Sequence, residues 1–170
     1  MGIIDAGISA MVGARVNGYE VVSWLSDMDI RSLIKTDRLY WPMEPDALLV
    51  LSHNGQRRAF FLEIDRGTES GLSPRANSFS TKLGKYATYF KALRATDPWM
   101  KGLPQPDVMV ITTSNQRLQN LKRITADGGG RSAYWFALAE HVEPPYNFMG
   151  SVWQRIGGEG YFTPTERFSS

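Results

Sequence analysis

Asp46, Glu63 and Asp65 are the residues whose types and spacing could do chemistry together. Glu63 and Asp65 lie two apart in Phe60-Phe61-Leu62-Glu63-Ile64-Asp65-Arg66-Gly67-Thr68-Glu69-Ser70. On a strand that spacing sends both carboxylates to one face. Asp46 follows Pro45 at the head of the apolar run Ala47-Leu48-Leu49-Val50-Leu51, and pairing of the two runs would bring it to the same face. Three carboxylates there repel one another unless a cation or a proton stands between them. A cluster of this kind can hold one or two divalent cations, which activate water and neutralise charge on a phosphodiester. A lysine alongside orients the water or steadies a developing oxyanion, and Lys82 on the next predicted helix is placed for that part.

The elements that must carry these residues follow from the pattern. Residues 2–25 read as helical, with apolar residues at Ile4, Ile8, Met11, Val12, Ala14 and Val16 and again at Tyr19, Val22 and Leu25; Asn17-Gly18 is a break point. Ser26 caps a short helix holding Asp27, Asp29 and Arg31. Residues 47–53 and 58–65 form a hairpin about Asn54-Gly55, and their near-continuous apolar character predicts burial on both faces. Residues 67–77 read as a loop and 79–93 as a helix with Leu83, Tyr86, Phe90 and Leu93 in a stripe. A strand at 108–113, a helix capped by Ser114 or Asn115 and closed by Gly128-Gly129-Gly130, and a strand at 134–138 complete the core. The expectation is a single α/β domain with a central mixed sheet flanked by helices over residues 1–143. Residues 144–170 are a Gly/Pro/aromatic-rich extension, read as a short strand near Val152 and a loose tail.

Composition narrows the chemistry. The 170 residues include no Cys and two His, and the net charge is +2. Disulfides, thiolate metal sites and a cysteine nucleophile are excluded, and a His-rich zinc site is disfavoured. A carboxylate site favours Mg²⁺ or Mn²⁺. No apolar run is long enough to span a membrane, and a cytoplasmic location fits.

The order of these residues resembles the PD-(D/E)xK nuclease superfamily, the restriction-endonuclease-like fold. Within it, Trp24-Leu25-Ser26-Asp27 with Arg31, then Pro45-Asp46-Ala47, then Phe61-Leu62-Glu63-Ile64-Asp65-Arg66-Gly67-Thr68-Glu69, then Lys82-Leu83 and Tyr86 are similar to the replication-relaxation family of plasmids and other mobile elements. The matched segments cover roughly two thirds of the chain, and Glu-Ile-Asp-Arg-Gly-Thr-Glu is the most specific of them. The resemblance implies DNA as partner, Mg²⁺ or Mn²⁺ on Asp46, Glu63 and Asp65, Lys82 beside the attacking water, and Asp27 completing the acidic cluster in preference to Glu20. Asp65 stands where the superfamily usually has Lys, so Lys82 takes that role. Family members usually carry a winged-helix DNA-binding domain ahead of this region, for which the chain has no room. A protein partner would then supply that function.

Plainer readings stand beside these. Asp46 caps a strand; Glu63 pairs with Arg66 or Arg58; Lys82 is a solvated helix lysine; Thr68 and Glu69 either shape their loop or orient the ligands. On that reading the domain is a non-catalytic nuclease-fold scaffold that binds DNA or a protein partner.

Overall fold

A computed structural model describes residues 1–36, 38–66, 78–143 and 148–169. The predicted loop at 67–77, with Thr68 and Glu69, lies outside the described residues.

Six strands form one mixed sheet in sequence order. They are β1 (Glu20–Ser26), β2 (Ala47–His53), β3 (Gln56–Asp65), β4 (Asp107–Thr112), β5 (Tyr134–Leu138) and β6 (Gln154–Arg155). The helices are α1 (Ile3–Val16), α2 (Asp27–Lys35), α3 (Phe79–Thr88), α4 (Asn115–Asp127) and the short α5 (Ala139–Val142). The first three strands are antiparallel neighbours; β3, β4 and β5 run parallel, and β6 returns antiparallel.

Local chemistry accounts for these elements. Asn54 and Gly55 have φ of 49° and 77°, the paired left-handed residues of a tight hairpin turn, and they set the register Ala47↔Leu62 to His53↔Gln56. Ser26 caps α2 by accepting from the Asp29 N–H, while Asp29 accepts from the Ser26 N–H at 2.9 Å. Ser114 caps α4 through the Arg117 N–H. After Thr88 the α3 axis continues through one wide turn, Tyr89–Leu93.

Each strand sends alternate residues to opposite faces. On one face Phe61, Val110 and Phe136 pack with α2, α3 and α4. On the other Phe60, Leu62, Met109 and Trp135 pack with α1, α5 and the C-terminal segment.

Two expectations are corrected. Residues 20–26 are not a continuation of the first helix: they form edge strand β1, paired from Glu20↔Ser52 to Ser26↔Ala47. Asn17 ends α1 and Gly18 turns the chain at φ 77°. β-branched Val21 and Val22 then follow, and an apolar spacing of three reads equally as helix or bulged strand. Nor is the C-terminal segment loose. Phe148, Met149, Trp153 and Phe168 are buried in the second core face, β6 pairs with β5, and Arg167 forms an ion pair with buried Asp107. Its aromatics, not its Gly and Pro content, decide its fate, because burying each one removes a large apolar area from water.

Candidate active site

The hairpin register delivers Asp46 to Glu63. Beyond the Ala47↔Leu62 pair, the Asp46 N–H donates to Leu62 O at 3.0 Å, and Asp46 Oδ2 accepts from the Ile64 N–H at 2.6 Å. Asp46 therefore caps the hairpin end, as the plainer reading expects, and also faces Glu63. The two acids share a cleft of about 160 Å³ with Asp65, Arg66, Phe79 and Lys82.

Glu63 is 3% exposed. Both of its oxygens are engaged from α3: Lys82 Nζ donates to Oε2 at 2.5 Å and the Tyr86 hydroxyl donates to Oε1 at 2.8 Å. Lys82 and Tyr86 are four residues apart, so one helix face presents both; Ser78 fixes the start of that helix by accepting from the Thr81 N–H. Burial pushes the Glu63 carboxyl up to about 7. The Lys82 charge opposes that rise and the Asp46 charge adds to it. Burial and the Glu63 charge raise the Tyr86 hydroxyl well above its ordinary value, which keeps it a donor.

Asp65 shares the face but keeps other company. Arg117 of α4 grips it with two hydrogen bonds at 2.8 and 2.9 Å, and Thr112 Oγ1 donates at 2.7 Å. Asp27 opens α2 beside the Ser26↔Ala47 pair, yet its side chain faces Arg31 at 3.8 Å and does not line the cleft. The structure thus brings Asp46, Glu63 and Lys82 together, holds Asp65 at the rim, and leaves Asp27 on the helix outside.

Among the described residues no group of three His, Cys, Asp or Glu side chains is gathered as a metal cage. Asp65 does not fit as a ligand, because a bidentate guanidinium and a hydroxyl already occupy its oxygens. Glu63 is engaged on both oxygens too, but one partner is an ammonium on a flexible stem rather than a bidentate guanidinium, so Asp46 and Glu63 are the two acids that could hold a cation. Mg²⁺ is commonly held through one or two carboxylates, with water and substrate oxygens completing the shell, and a buried acid beside a second acid favours an added cation.

Sequence reasoning missed Tyr86 as the second anchor of Glu63 and Arg117 as the clamp on Asp65. The Lys82/Tyr86 spacing carried the first signal. The second depended on β3 and β4 lying parallel, with Asp65 opposite Thr112. Arg58, a candidate partner for Glu63, instead donates to Arg167 O at 2.6 Å. His53, beside the hairpin turn, stacks on Tyr19 at 4.3 Å.

Next to the cleft a broader groove of about 710 Å³ runs along α4. It is lined by Arg66, Ser114, Gln116, Arg117, Asn120 and Arg123, and Arg66 borders both depressions. A scan of protein-family models and a search of curated proteins returned no match.

Proposed function

We propose that this chain is a DNA-processing domain of the restriction-endonuclease-like type. It would be related to the replication-relaxation proteins of mobile elements, work in the cytoplasm and handle phosphodiesters with Mg²⁺ or Mn²⁺. The observation that carries the reading is the joint placement of Asp46, Glu63 and Lys82 in one cleft, with the Glu63 carboxyl at about 7. Structural acids have little need of a proton affinity tuned to neutrality, and sites of chemistry do.

Asp46 and Glu63 would hold the cation. It would supply charge neutralisation at the phosphodiester and a more acidic water. Tyr86 fixes the Glu63 carboxylate in orientation. Lys82, which bonds Glu63 in this structure, would orient the attacking water if a cation took its place on the carboxylates. In the reaction the water oxygen bonds to phosphorus, the bond from phosphorus to the sugar oxygen breaks, and the water's proton leaves to the departing oxygen or to solvent. The Arg-lined α4 groove is suited to backbone phosphates next to the scissile one, since guanidinium forks match phosphate geometry. None of its described lining residues is aromatic, so it offers phosphate contacts rather than a platform for base stacking.

Calorimetry with Mn²⁺ tests the reading, with circular dichroism to confirm folding. Saturable binding by the wild type, lost in folded Glu63→Ala and kept in Asp65→Asn, is the expected outcome. Binding should strengthen as pH rises through about 7, because Glu63 must shed its proton to coordinate. Wild-type protein that binds no Mn²⁺ at pH 8 would sink the metal-dependent reading.

A second reading has its own support. Lys82 and Tyr86 occupy both oxygens of Glu63, and Arg117 and Thr112 occupy Asp65, which is also how a non-catalytic scaffold would satisfy its acids. Under it the protein binds DNA or a partner without cleavage, and Glu63→Ala changes stability but no activity.

A further inference from the structure

The first helix is built inside out. α1 turns Ala6, Gly7, Ala10, Gly13 and Ala14 onto the sheet. No larger residue fits at position 7, where an added Cβ would come within 2.7 Å of the Trp24 ring. Ile4, Ile8 and Val16 point the other way. Ile4 and Val16 are 77% and 79% exposed and Ile8 is 42% exposed, while Val12 between them is half-buried. Steps of four residues keep these positions on one side of a helix. Isolated exposed apolar residues need no account, but a stripe along a whole helix marks a contact surface.

This stripe reads the same in both directions. About position 10, Ile4 mirrors Val16, Ile8 mirrors Val12, and Asp5 mirrors Arg15. We propose that α1 packs against α1 of a second copy, antiparallel across a two-fold axis. A symmetric contact requires that residue i meet j while j meets i, and this face meets the condition in both size and charge. Ile4 lies against the second copy's Val16, Ile8 against its Val12, and Asp5 opposite its Arg15. The neighbouring edge strand β1 is a poorer joint, because its register slips between Val21 and Ser23, and such bulges block edge-to-edge pairing. A helix of 14 residues is about 21 Å long, so the contact is small and the dimer belongs with the weaker associations.

Sedimentation equilibrium on the full chain tests this over a concentration series up to about 0.5 mM. Reversible dimerisation is expected, weakened at least about tenfold by Ile8→Glu with an unchanged circular dichroism spectrum. Asp5→Arg and Arg15→Asp should each weaken it, and the double reversal should restore it, since the swap recreates both pairs in the same register. Asp5 also accepts from the Gly2 N–H, so Ile8→Glu and Arg15→Asp carry the test if Asp5→Arg loosens the helix start. A monomer throughout, a dimer indifferent to Ile8→Glu, or a double reversal that fails to restore association in a folded protein each overturns the proposal. So does a monomer whose α1 face instead partitions onto lipid vesicles.

Discussion

Two buried acids on opposite faces of the sheet have been answered in different ways. Asp107, at the start of β4, bonds to Arg167 at 2.6 and 3.0 Å and to Trp135 Nε1 at 3.0 Å. Glu63, three residues further along the paired strand register, has a lysine and a tyrosine. Burial raises both carboxyls, and their partners pull both back down. The difference lies in the partners. A planar guanidinium gripping two oxygens is a geometric lock, whereas an ammonium on a flexible stem is a point charge that can move. Asp107 fastens the C-terminal segment to the sheet. Glu63 opens onto a cleft with a proton affinity near neutrality. Of two acids with similar burial, the one whose counter-charge can leave is the one suited to chemistry.

The sharpest way to break the comparison is Arg167→Met. It leaves buried Asp107 with Trp135 and the nearby Arg58 charge but without its two-pronged clamp, and it loosens the segment behind, so a loss of about 3 kcal/mol is expected in urea unfolding. A loss under about 1 kcal/mol would remove the distinction between lock and site.

The next test uses pH. Folded Glu63 keeps its proton up to about 7, while an unfolded glutamate gives it up near 4.5. That contribution to stability is therefore fully present below 4.5 and is lost as pH rises to 7. At about 1.4 kcal/mol for each pH unit the swing is about 3 kcal/mol. Glu63→Gln lacks it, so the variant should gain on the wild type between pH 5 and pH 8 by most of that amount. Parallel slopes for the two proteins would refute the assignment.

The smallest effect sharpens the contrast. At pH 6 Lys82→Met should cost only about 1 kcal/mol, because Glu63 can neutralise itself by holding a proton, an escape that a bidentate clamp gives Asp107 less occasion to use. Removing the Lys82 charge should also move the Glu63 carboxyl further up, readable as a shifted carboxyl ¹³C titration.

Much of this was legible in the chain because it is local. The Asn54-Gly55 turn fixed the hairpin register, and the register alone places Asp46 beside Glu63. Ser26 and Ser114 marked helix starts that the structure keeps. What could not be read depends on contacts far apart in sequence. Nothing near Asp65 announces Arg117, 52 residues on. Nothing near Asp107 announces Arg167, 60 residues on. The tail looked loose because glycine and proline describe local freedom and are silent about the apolar face waiting for Trp153 and Phe168. β1 reads as helix because a strand with a bulge has no clean period of two.

The fastening of the C-terminal segment also has a consequence for the order of events during synthesis. Residues 148–169 are made after α1, α5 and the first five strands, and until they are, Trp135 and Met109 lack part of their cover and Asp107 lacks its Arg167 clamp. At roughly 5–20 residues per second a sheet already paired from β1 to β5 waits for seconds with one side covered only in part, by α1 and α5. A chain stopped short of Trp153 would carry that gap permanently, and would be recognised by chaperones or lost to aggregation although its cleft residues had all been made.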